Sequence, residues 1–344
     1  MKFGVFYQLP CGVEQTPQLR YQDTIAQAVL ADELGFDQVW LAELHFNLRF
    51  SVMPAPLLLA SAIAQVTERI KIGTAVNLVP LHQPVRLAEE VATLDLLSKG
   101  RAIFGIGRGS QPRQYGGFGI DIEEGRARFL EALQLIIHAW TREEACFSGE
   151  FYRVQDVNVV PKPAQQPHPP VYIAANSADT FGLVGELGHN ILVAPLVVSR
   201  EGALAGLEDY RSALARSGHD TESKRVNINL PVYVTEDPDK IKSGFELTIN
   251  NYLGTLRQNR SGPASRAARR DYEEVHSDFA AIGTPEQVVA KLKFFQKLFN
   301  PQEFMCWFNT GGMLPHREVA QSMELFAQKV MPHFRQEAAQ LCPG

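Results

Sequence analysis

The chemistry-bearing residues of this chain fall into four short segments. Phe104–Gln111 reads FGIGRGSQ. Its glycines at 105, 107 and 109 expose backbone N–H groups, and Arg108 adds a guanidinium, which together make an anion cradle. The spacing resembles the start of a dinucleotide fingerprint, but the third glycine and the downstream ribose-binding acid are missing. Arg126 opens a later helix and offers the same anion a second guanidinium. Asn176-Ser177-Ala178-Asp179-Thr180 also starts a helix. There Ser177 or Asp179 serves as a cap, or the free N–H groups take a phosphate. A phosphate monoester carries about −1.5 to −2 charges, a match for two arginines and a helix N-terminus. Glu43 and His45, two apart, can face one pocket as an acid–base pair, or the histidine is simply hydrogen-bonded in place. Gly73–Asn77 is small enough to let a flat ring approach the backbone, or to pack tightly on the next helix.

These segments sit at the ends of predicted strands. Apolar runs place strands at Lys2–Tyr7, Gln38–Leu41, Ile70–Thr74, Ala102–Ile106, Val171–Ala174, Asn190–Val193, Asn227–Val234 and Glu303–Phe308. Amphipathic stretches at helical spacing separate most of them. Alternation of this kind requires a parallel sheet covered by helices. Eight units fit a closed (β/α)8 TIM barrel whose active face collects the residues after each strand; an open doubly wound sheet is the alternative. Residues 1–344 are expected to form one domain. A β-hairpin insertion is expected near 145–160. The charged stretch near 257–280 is either a solvated loop or a mobile lid over the barrel mouth.

Composition narrows the function. The net charge is −5, with 45% hydrophobic and 21% charged residues, which argues against a nucleic-acid surface. No apolar run reaches the ~20 residues of a membrane span. The four cysteines (Cys11, Cys146, Cys306 and Cys342) lack metal spacing and suit a reducing compartment, so a cytoplasmic location is expected. Among strand-end residues only Glu43 and His45 resemble metal ligands, too few for a metal-dependent hydrolase.

In order and spacing, Met1–Phe6 (MKFGVF), Leu34–Phe46 (LGFDQVWLAELHF), Gly73–Pro84 (GTAVNLVPLHQP) and Thr93–Ser110 (TLDLLSKGRAIFGIGRGS) resemble the bacterial luciferase-like flavin monooxygenases. Gly117–Asp121, Pro170–Thr180 and Val330–Phe334 extend the resemblance over most of the chain. It implies the same barrel and reduced FMN (FMNH2) as cofactor. Arg108 and Arg126 would hold the phosphate, with the Ser110 and Asn176 amides, the Ser177 hydroxyl and Thr180. A non-prolyl cis peptide would fall at Ala75–Val76, under the flavin ring, with Leu192, Ala194 and Pro195 on its other side. The implied reaction is O2 activation as a flavin C4a-(hydro)peroxide that oxygenates a small organic substrate. A separate flavin reductase would supply FMNH2, and a homodimer, or alternatively a heterodimer, would meet near Glu89.

Three departures qualify the resemblance. Leu44 stands where luciferases have the first of two adjacent histidines, which speaks against light emission and leaves His45 as the acid–base candidate. Gly107 replaces a reactive cysteine and is expected to enlarge the pocket. His82 is offset by one residue from the family's histidine before proline. The same superfamily also contains F420-dependent hydride-transfer oxidoreductases and non-catalytic flavin binders, which remain alternatives.

Overall fold

The computed structural model describes residues 1–12, 14–258 and 267–340, the last five of these by backbone alone. Eight parallel strands close a barrel. They are β1 (Lys2–Tyr7), β2 (Gln38–Leu41), β3 (Lys71–Thr74), β4 (Ala102–Gly107), β5 (Val171–Ala174), β6 (Asn190–Val193), β7 (Val226–Val234) and β8 (Glu303–Trp307). Each pairs with the next in chain order, and β8 pairs with β1, Lys2 lying opposite Glu303. All eight predicted strands are present, within a few residues at their ends, and the open-sheet alternative is excluded by closure.

The barrel interior is packed, not hollow. Trp40 of β2 fills it with Ile103, Tyr172, Leu192 and Met305. Room for the indole comes from glycines on both neighbouring strands. A Cβ at Gly4 would lie 2.8 Å from the ring, and one at Gly73 2.6 Å from it. At the N-terminal end the buried Glu303 accepts hydrogen bonds from Tyr172 Oη (3.1 Å) and Asn227 Nδ2 (3.2 Å).

The helices begin where local chemistry dictates. Thr16 caps Pro17–Glu33, Gln83 caps Pro84–Leu97, and Thr284 with Gln287 forms a capping box on Pro285–Phe299. Proline at the first helical position loses nothing there, because its missing N–H would have had no partner. The last predicted helix, over 317–330, is instead interrupted. His316–Leu325 passes through a π-turn, Phe326–Val330, into Met331–Gln340. Pro332 accounts for this, since it lacks an N–H and its ring crowds the preceding turn.

The hairpin pairs Ala145–Ser148 with Arg153–Val157. Glu131, on helix Gly125–Thr141, anchors it by accepting the N–H groups of Glu150, Phe151 and Tyr152. In the stretch expected as a lid, residues 259–266 lie outside the described residues. Beyond them the chain is packed: Ala267, Tyr272, Val275 and Phe279 are buried. The Arg270 guanidinium stacks on Phe279 at 4.0 Å and donates to the Leu196 carbonyl. A helix, Tyr272–Asp278, and a short strand, Ala281–Gly283, follow, the strand pairing with the end of β7. Charge density hid them, because their few apolar residues face inward. Among the described residues no helix is long and apolar enough to cross a membrane.

Candidate active site

A cavity of ≈ 310 Å³ opens at the C-terminal ends of the strands. One wall is polar and built from β4 and β5. The loop after β4 turns back on itself at Gly109, whose φ of +75° favours glycine. That turn presents Arg108 and Ser110 to the cavity. The Arg108 side chain is exposed and makes no hydrogen bond or ion pair with a described residue. Arg126, Asn176, Ser177, Asp179 and Thr180 border the same wall. Ser177 occupies the N-cap of helix Ala178–Glu186, yet its side chain caps no N–H group. Its hydroxyl lies 2.8 Å from that of Thr180. The two strand ends thus put two guanidiniums, two hydroxyls and a helix N-terminus around one space, a donor set suited to a phosphate.

The floor is the segment after β3. The Ala75–Val76 peptide is cis, at the position where the resemblance implies one. Ala75 and Val76 border the cavity, and Asn77–Leu78 pairs with Ile106–Gly107 of β4. The expected enlargement at Gly107 is limited by Val76: a Cβ at 107 would lie 2.6 Å from its methyl. The remaining wall is mostly apolar, with Phe6, Ala42, Leu44, Phe50, Val197 and Leu256.

Glu43 and His45 are together, as expected, but only Glu43 borders the cavity. His45 is buried and is not among the cavity residues; its ring packs edge-on against Phe118, at 4.8 Å. The Glu43 carboxylate, also buried, accepts from four groups. These are His45 Nε2 (2.9 Å), His82 Nε2 (2.8 Å), Asn77 Nδ2 (3.0 Å) and the Leu78 N–H (3.0 Å). That uses its acceptor capacity. Glu43 therefore pins the floor segment to the end of β2.

Burial by itself would raise the Glu43 carboxyl, but the hydrogen bonds from His45 and His82 outweigh it and push it down to about 2. Burial by itself would lower His82, but the Glu43 hydrogen bond and charge, with Glu90 beyond, raise it above the ordinary imidazole value. Glu43's contribution to stability is thus lost only as pH falls toward that low value. His82's is full below the ordinary imidazole range and is lost as pH rises through its raised value. The thermal midpoint should therefore fall as pH rises from the ordinary imidazole range through His82's raised value, with a shallower fall in His82→Gln. An identical slope in the variant would remove His82 as the cause.

Other expected positions fall elsewhere. Leu192 is buried in the barrel interior with Trp40, while Ala194 precedes a short helix, Pro195–Val198. Neither they nor Pro195 border the cavity, and Val197 does so instead. Tyr7, Tyr233, Trp307 and Asn309, at or near strand ends, do not border it either. Trp307 is held between Phe6 (5.2 Å) and Tyr252 (4.9 Å). Sequence reasoning missed Gln114, which borders the cavity with a buried Nε2 that has no partner among the described residues. Its place four residues after Ser110 was the available signal. For His82 the sequence signal was only its offset from proline; Tyr252 and Leu256, on helix Asp239–Gln258, also border the cavity.

A closed parallel barrel with a phosphate-type cradle at its C-terminal mouth defines the class. Within it, the chain belongs to the luciferase-like monooxygenase family, whose model matches residues 1–299. It is 26% identical to the oxygenase component of the flavin-dependent trigonelline monooxygenase of Acinetobacter baylyi, over 97% of this chain and 96% of that one. It is also 26% identical to an alkanal monooxygenase alpha chain of Photorhabdus luminescens, over 98% of each. Among solved structures, monooxygenase RslO1 from Streptomyces bottropensis superposes with a TM-score of 0.88 at 28% identity, covering 97% of this chain and 100% of that one. The oxygenating constituent of 3,6-diketocamphane monooxygenase from Pseudomonas putida, in complex with FMN, shares the fold. Its TM-score is 0.84 at 19% identity, over 96% and 98% of the two chains.

Proposed function

We propose that the protein is the oxygenase of a two-component system, using FMNH2 from a separate flavin reductase to insert oxygen from O2 into a small, largely apolar organic molecule. The observation that carries this reading is one cavity joining a phosphate-type cradle to a narrow backbone floor and an apolar wall. Arg108, Arg126, Ser177 and Thr180, with the Ser110 and Asn176 amides, would hold the phosphate. Ala75 and Val76 would support the ring. Bound reduced flavin would supply the oxygen activation. The protein's own part is to exclude water and fix the ring against the substrate. Leu44, Phe50, Val197 and Leu256 keep that space apolar. Glu43, at the cavity's edge, and His45, behind it, act as positioning residues for the floor. A second copy would dock near Glu89, where the neighbouring helices Pro56–Val66 and Pro84–Leu97 expose Leu58, Val66, Leu96 and Leu97.

Arg108→Ala should weaken reduced-FMN binding by about 1–3 kcal/mol, the value of a hydrogen bond to a charged group. Anaerobic titration measures it; an unchanged affinity would place the phosphate elsewhere. Turnover is tested by O2 uptake with an added flavin reductase and a panel of small apolar ketones, aldehydes and aromatics. Uptake that no substrate couples to product would leave a flavin-binding protein without oxygenase activity.

A further inference from the structure

We propose that Asp179 is a built-in competitor for the phosphate cradle, loosening the hold on the flavin phosphate so that the cofactor exchanges rapidly. This rests on the FMN reading above. Asp179 sits in the first turn of helix Ala178–Glu186, and its Oδ2 lies 2.6 Å from Arg126 Nη1. Both side chains are about half exposed (52% and 47%) and border the cavity at the cradle. Ser177, its own N–H and the two guanidiniums, Arg108 and Arg126, hold its carboxyl below the ordinary aspartate value, so it is an anion at neutral pH.

The charge count gives the consequence. Arg108 and Arg126 bring two positive charges, and Asp179 returns one negative. An entering phosphate monoester, at about −1.5 to −2, therefore meets a cradle of net +1 and must take Arg126 from a carboxylate already bound to it. With a neutral residue at 179 the cradle would be +2 with both guanidiniums unengaged. Like charges this close, partly exposed to water, change affinity by about tenfold, more at low salt. A tightly held prosthetic group gains nothing from such an arrangement. A flavin that must arrive reduced and leave oxidised in every turnover needs fast release.

The test compares wild type with Asp179→Asn and Asp179→Ser, two neutral replacements, each checked for intact folding by thermal melting. Each is titrated anaerobically with reduced FMN and reduced riboflavin, and separately with inorganic phosphate. Both variants should bind FMN about tenfold tighter, with slower release by stopped flow, and should bind phosphate more tightly. Riboflavin affinity should not change, because it lacks the phosphate. Unchanged or weaker FMN and phosphate binding would overturn the proposal, as would an equal gain for riboflavin. Failure of the FMN reading looks different: wild type would then ignore reduced FMN, while the inorganic-phosphate comparison would still decide whether Asp179 competes for the cradle.

Discussion

Glu43→Ala should destabilise the protein by about 3–5 kcal/mol, the cost of removing one partner of a buried charge pair. The loss is large because the carboxylate is shared. Removing it leaves the His82 Nε2, the His45 Nε2, the Asn77 amide and the Leu78 N–H without an acceptor. Three of these four groups, on Asn77, Leu78 and His82, lie on the segment that follows Ala75–Val76, so flavin affinity should fall as well. Urea denaturation gives the first quantity and an anaerobic FMNH2 titration the second. Glu43→Gln keeps the shape and one acceptor oxygen, and should recover part of each. If Glu43 served only as an acid–base group, the Gln variant would lose turnover while its stability and flavin affinity stayed at wild-type levels.

Gly105→Ala should be nearly as costly, about 3 kcal/mol or more, at the upper end for overpacking. The added Cβ would come within 1.6 Å of the Thr74 carbonyl oxygen, which no side-chain movement relieves. The Thr74 hydroxyl also donates to the Gly105 carbonyl (2.6 Å), so β3 and β4 are locked at this point. Separating them would displace both the floor and the Arg108 loop. A melting curve within a degree or so of wild type would show that the two strands do not meet as described.

The sequence made the barrel legible because its signals are local. Apolar runs, Pro starts and Thr caps mark the strands and helices one at a time, and β-to-α alternation admits few topologies. The polar wall was legible for a related reason: glycines and arginines keep their meaning wherever the chain carries them. The floor was not legible from local pattern. Nothing near Glu43 indicates that His82, 39 residues on, binds the same carboxylate. The pair Glu43/His45 was visible as chemistry, but its direction depends on the β3 segment packed behind it. Asp179 was visible only as a helix cap, because its ion pair with Arg126 spans 53 residues. The packing of 267–280 was not legible because most of its charges face outward, while Tyr272, Val275 and Phe279, with the buried Arg270, do the packing.

The central claim is that this cavity binds reduced FMN through its phosphate and uses it on O2. The most direct measurement is anaerobic calorimetric titration of the wild-type protein with reduced FMN, reduced riboflavin and reduced F420, followed by an O2 pulse to the loaded protein. The account predicts saturable binding of FMN, weaker binding of riboflavin, and O2 consumption that a suitable substrate couples to oxygenated product. Tight F420 binding with indifference to FMN and O2 would contradict it and make the protein a hydride-transfer oxidoreductase instead.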